Sequence, residues 1–273
     1  MNTRLTRRSC LAALPAAALG SVCAGAPDAP AADDPPETLD PAFPSHDRRM
    51  VAEMVGASHA RVERVRELLS TAPELAKASY DWGFGDWESA LGAASHVGNR
   101  EIAELLIAHG ARPDLFTFAM LGDVDVVRAL IAARPGIERM RGPHGLTLMH
   151  HARQGGERSA SVVAYLATLP GSDLAYVEAP LPDAIRDAVV GSYVCDRLGA
   201  RAITIGKPER SPRLELRIGE RSPLRLVHQG DATFHPVGAE SVRIRFIMED
   251  GKAATLTIGG SESIEARRAD VDR

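Results

Sequence analysis

The feature that most constrains how this chain can fold is a helical pattern that repeats within it. Arg61-x-x-x-Val65-x-x-Leu68-Leu69 aligns with Gly98-x-x-x-Ile102-x-x-Leu105-Leu106 and, after a one-residue slip, with Gly122-x-x-x-Val126-x-x-Leu130-Ile131. Val162-Val163-x-x-Leu166 is a weaker copy. Apolar residues three and four apart predict a helix with a single apolar face. Recurrence predicts that each unit, too small to bury that face alone, shares one continuous apolar seam with its neighbours. The anchors Val65, Ile102, Val126 and Val162 are 37, 24 and 36 residues apart, so about four unequal units are expected, with insertions near Tyr80 to Asp86 and Glu157 to Ser161.

Upstream of these faces lie helices built from small residues. Ser89-Ala90-Leu91-Gly92-Ala93-Ala94 precedes Gly98, and Thr147-Leu148-Met149-His150-His151-Ala152 precedes Gly156, each Ser or Thr standing nine residues before its glycine. A hydroxyl at a helix start caps orphan amides, alanines let paired helices approach closely, and a glycine turns the chain through the left-handed region. Together with Gly110-Ala111-Arg112-Pro113-Asp114, this arrangement resembles the ankyrin repeat, over residues 45–178. The resemblance implies an α-helical solenoid that binds other proteins, with the β-finger missing from the shortest interval.

After Pro180-Leu181-Pro182 the period changes from helical to alternating. Leu214, Leu216 and Ile218 alternate with Arg213, Glu215 and Arg217, and Val242, Ile244 and Phe246 alternate with Arg243 and Arg245. Turn signals at Gly206-Lys207-Pro208, Gly219-Glu220, Gly230-Asp231, Asp250-Gly251 and Gly259-Gly260 divide residues 183–270 into seven or eight short antiparallel strands, expected to close as a small barrel. Val190-Gly191-Ser192-Tyr193, Phe234-His235-Pro236 and Ala266-Arg267-Arg268 give this part a resemblance to the lipocalin-like domain appended to serine β-lactamase-related proteins. The expected class is therefore α+β, in two domains.

Residues 1–26 read as a signal peptide. Arg4, Arg7 and Arg8 precede an apolar run that ends in Ala24-Gly25-Ala26, and Thr6-Arg7-Arg8-Ser9-Cys10-Leu11 resembles a twin-arginine signal. Cys23 raises lipid anchoring as the lesser alternative. Residues 27–44, with six prolines and five acids, form a linker. Arginine used almost to the exclusion of lysine, with abundant alanine, suggests a bacterial source; the expected location is the periplasm or the medium. Without residues 1–26 the formal charge moves from −4 to −7, which argues against nucleic acid as a partner. No transmembrane span is expected. Cys195 is the one cysteine outside the signal, so no intramolecular disulfide is possible there.

Catalytic signatures are missing: there is no S-x-x-K, G-x-S-x-G, H-E-x-x-H or C-x-x-C. His144, His150 and His151 fall within eight residues, but neighbours on a helix point about 100° apart, so a metal site among them is not expected. No cofactor is expected either. The loop around Trp82, Phe84, Asp86, Trp87 and Glu88 joins both tryptophans to acids and is the foremost candidate for contact with a partner. His96, His151 and Gln154 are expected to face the groove of the repeat stack. Function is thus expected to be binding of an exported protein without catalysis. The alternatives are an apolar ligand inside the β-domain, or regulation of a serine hydrolase through that domain.

Overall fold

The computed structural model describes residues 45–199, 201–209, 211–219, 223–259 and 263–269. The expected signal peptide, Cys23 and the linker lie outside these residues. Residues 46–273 form one compact unit, in which a helical part is followed by a closed antiparallel barrel. No helix among the described residues is long and apolar enough to cross a membrane.

The helices come in pairs: α1 (Arg48–Ala57) with α2 (Val62–Thr71), α3 (Ala90–His96) with α4 (Arg100–Ala108), α5 (Leu115–Leu121) with α6 (Val124–Ala133), and α7 (Leu148–Gln154) with α8 (Ala160–Leu166). The first members pack in one row, α1 on α3, α3 on α5 and α5 on α7; α2 contacts α4, and α6 contacts α8, in a second. Ser89 Oγ accepts the Gly92 amide at 2.9 Å and Thr147 Oγ1 accepts the His150 amide at 3.1 Å, so both hydroxyls cap their helices. Gly98 and Gly122 sit at φ 76° and 85°, and a Cβ on either would lie 2.2 Å from a carbonyl oxygen, of Gln154 or Arg158 respectively. Only glycine lets the next pair approach so closely.

Two expectations need correcting. The third long helix buries Val127 and Ile131, whereas Val126 is 39 % exposed. The α6 face is turned by about one residue, because burial follows the helix's angle to α5 and α8 and not sequence alignment with Ile102. The seam is also not continuous. One core gathers Met54, Val65, Leu68, Ile102 and Leu106, and a second gathers Phe116, Val127, Leu148, Val162 and Leu166. Helix α5 divides them, giving Met120 to the first core and Ala119 to the second.

The expected enlarged loop is a hairpin, β1 (Ser79–Asp81) with β2 (Trp87–Ser89). Its tip runs through Gly83, Phe84 and Gly85, all at positive φ, and the Gly83 amide donates to Asp81 Oδ1 at 2.8 Å. Phe84 reaches from this tip onto the core of the barrel.

The barrel follows α9 (Asp183–Val189). Its strands are β3 (Gly191–Val194), β4 (Ile203–Gly206), β5 (Glu215–Ile218), β6 (Leu224–Gly230), β7 (Thr233–Pro236), β8 (Arg243–Glu249), β9 (Lys252–Gly259) and β10 (Ser263–Arg268), with β10 closing on β3. Alternation puts Tyr193, Leu216, Phe234, Ile244 and Phe246 inside, packed against one another. Arg268 fastens the closure: its guanidinium donates to the carbonyls of Ala188, Val190 and Ala253 and to Tyr193 Oη. The segment between helices and barrel is held at Tyr176, whose ring lies 3.9 Å from the Arg141 guanidinium carbon and whose hydroxyl accepts the Gly238 amide at 3.0 Å.

Candidate metal centre

Where the hairpin meets the first row of helices, four side chains from separate segments aim at one point. His59 stands in the turn after α1, Glu88 on β2, His96 at the end of α3, and His144 in the loop before α7. One ligand-type atom from each lies within 4.8 Å of all the others. Glu88 Oε1 is 2.8 Å from His96 Nε2 and 3.3 Å from His144 Nε2, and Glu88 Oε2 is 3.6 Å from His59 Nε2. The Nε2 atoms of His59 and His96 are 3.1 Å apart. A tetrahedral ion with bonds of 2.0–2.1 Å sets its ligand atoms about 3.3 Å from one another, the scale observed here.

Hydrogen bonds behind the cluster decide which atoms face inward. His59 Nδ1 lies 3.2 Å from the Gly56 carbonyl, which can only accept, so Nδ1 holds the proton and Nε2 presents a lone pair. His144 Nδ1 donates to Asp86 Oδ2 at 2.7 Å, while the His144 amide donates to Asp86 Oδ1 at 2.9 Å. This is the carboxylate–histidine support common behind metal ligands. Trp82 Nε1 donates to Glu88 Oε2 at 2.7 Å. Glu88 Oε1, in a side chain with no exposed surface, has His96 Nε2 at 2.8 Å and His144 Nε2 at 3.3 Å but no donor in good hydrogen-bond geometry. A buried carboxylate oxygen without a donor is costly unless a cation satisfies it.

Backbone and charge agree with this reading. His144 is held at φ 56°, ψ 22°, a conformation costly for a residue with a side chain, and its two bonds to Asp86 hold it there. Burial would raise the Glu88 carboxyl, but His144, His96 and His59 outweigh it and bring the pKa down to about 2. Burial would lower the His144 imidazole, but Asp86 and Glu88 raise it to about 10. Two buried carboxylates thus call for positive charge at this spot. A proton on His144 offsets one of them, and a divalent cation offsets both.

Only part of the cluster faces outward. Glu88 and His96 are largely covered, while His59 and His144 are about one-third exposed and line a cleft of about 1100 Å3 between the helical part and the barrel.

The residues expected to contact a partner have different fates. Glu88 and His96 belong to the cluster, and Asp86 and Trp82 brace it. Asp86 and Glu88 are buried, so neither presents a surface to a partner protein. Phe84 is half-buried against the barrel, and Trp87 is 64 % exposed. His151 is fully buried beside Phe116, its Nδ1 bonded to the Thr147 carbonyl, instead of facing a groove; the turn of α7 points it at α5. Gln154 is exposed. Of the three clustered histidines only His144 enters the centre, since His150 Nε2 bonds the His96 carbonyl at 3.0 Å.

His59 escaped the sequence reading although a signal existed. It precedes His96 by 37 residues, the same interval that separates Val65 from Ile102, so the two occupy equivalent places in successive units. Stacking of equivalent places brings them together. No protein-family model matches the chain, and no curated protein sequence matches it either.

Proposed function

We propose that this protein binds one divalent first-row transition-metal ion through His59, Glu88, His96 and His144. The observation that carries the reading is the convergence of three imidazoles on the buried Glu88 carboxylate, His96 and His144 Nε2 beside Oε1 and His59 Nε2 beside Oε2. Three nitrogens and one oxygen suit Zn2+ and its neighbours in the series better than Mg2+ or Ca2+, which prefer oxygen ligands. The role is binding and not turnover: Glu88 is a ligand and Asp86 is committed to His144, so neither carboxylate beside the ion is free to act as a base. The frame is read as ankyrin-type repeats joined to a lipocalin-like barrel. Two rows of helices, capping hydroxyls and the close glycines support the first half, and eight-stranded closure supports the second. Export of the chain, drawn from residues 1–26, completes the reading.

The test is metal content after loading with Zn2+ and dialysis, together with calorimetric titration. One ion per chain is expected, reduced to background in a Glu88→Gln, His96→Ala double variant whose circular dichroism is unchanged. A wild-type protein that retains no Zn2+ would overturn the proposal.

Trp87 favours a second role for the same hairpin. A large aromatic side chain 64 % exposed beside the centre suits docking of a partner protein, as expected from the repeats. Capture of an exported partner by the full chain, lost on Trp87→Ala, would support it; capture unaffected by that change would remove it.

A further inference from the structure

We infer that the cleft beside the metal centre binds a small organic oxyanion with an apolar body, one oxygen of which coordinates the ion between His59 and His144. The inference rests on the proposed metal site and adds its ligand. The side of the centre formed by His59 and His144 opens into the cleft, so a bound ion is reachable from there. The remaining two ligands are shut away beneath it.

Charge selects the sign of the ligand. Four arginines line the cleft against two aspartates. Arg153 and Arg213 are engaged by Asp173 and Glu178, and Arg141 is spread over Tyr176 with its N–H groups on the Gly145 and Leu174 carbonyls and Glu240 3.7 Å away. Arg225, on β6, faces Glu215 across the β5–β6 pairing but makes no ion pair within 4.0 Å among the described residues, and its exposed guanidinium borders the cleft. Such a fork recognises carboxylate, phosphate and phosphonate oxygens.

The opposite wall selects the body. Phe84 from the hairpin and Ile218 and Leu224 from the barrel, each only partly buried, border the same space. A volume near 1100 Å3 lies at the upper end for small-molecule sites. It holds far more than inorganic phosphate, which would leave the apolar wall uncovered.

Full-length protein loaded with Co2+ reports on both steps, because the visible bands of Co2+ respond to a new ligand. Phenylphosphonate is expected to shift the bands saturably, at a concentration at least tenfold lower than inorganic phosphate requires, while benzyl alcohol leaves them unmoved. Arg225→Ala should weaken phenylphosphonate about tenfold, the loss of one charge-assisted contact, with Co2+ uptake unchanged. Ile218→Ser should weaken phenylphosphonate and leave inorganic phosphate as it was. Co2+ bound with bands that phenylphosphonate does not move would overturn this inference alone, as would equal saturation by inorganic phosphate. Failure to take up Co2+ at all would overturn the metal reading and this one with it.

Discussion

At the scale of single residues, the centre depends on side chains whose roles are set by what stands behind them. Asp86 is not a ligand, yet it fixes both the proton on His144 Nδ1 and the left-handed backbone of that residue. Asp86→Asn should therefore lower Zn2+ affinity 10–100-fold, measured by competition with a chromogenic chelator, with the secondary structure intact. An unchanged affinity would deny Asp86 this function. His151 makes a separate point. Burial holds its pKa down to about 4, helped by His96 and His150 and opposed by the hydrogen bond to the Thr147 carbonyl and by Asp114. Its neutral form is favoured in the folded state, so the unfolded chain binds the extra proton first. Stability is complete above the ordinary pKa of 6.5 and declines as pH falls from 6.5 to about 4, by roughly 3 kcal/mol. Denaturant titrations at pH 7 and pH 4.5 should show that decline in the wild type and a flatter response in His151→Leu. Equal slopes would place the acid sensitivity elsewhere.

At the scale of elements, the helix pairs are specified by short signals that act locally: Ser89 and Thr147 at helix starts and Gly98 and Gly122 at the turns. Gly98→Ala combines positive φ with a Cβ placed 2.2 Å from the Gln154 carbonyl oxygen, backbone that cannot swing aside. We expect a loss of about 2–4 kcal/mol in urea unfolding, greater than the usual cost of a side chain at a left-handed position. A loss below about 1 kcal/mol would mean that the following pair moves away freely. The rotated face of α6 marks the limit of such local reading. Val126 and Val127 are chemically alike, and the choice between them depends on how α5 and α8 approach.

At the scale of the whole molecule, ligands drawn from positions 59 to 144 meet only in the folded chain, so an ion that binds there must stabilise the fold. Zn2+ at 100 times its dissociation constant contributes about 2.7 kcal/mol, which for a domain of this size raises the melting temperature by roughly 5–10 °C. Calorimetry should show that rise for the wild type, its reversal by a chelator, and none for the double variant Glu88→Gln, His96→Ala. A wild-type melting temperature indifferent to Zn2+ would contradict a site built across four segments. The same distances in sequence explain what could be read in advance. Helical spacing, caps, glycines and the change to alternation are local patterns, each visible within about ten residues, and from them the paired helices and the closed barrel followed. The centre is not local: 29 residues separate His59 from Glu88, and 48 separate His96 from His144. No spacing within a helix or strand unites them. They meet because helix pairs stack with equivalent positions in register and because the hairpin folds back over that stack, and both depend on packing between units that no single stretch of sequence contains.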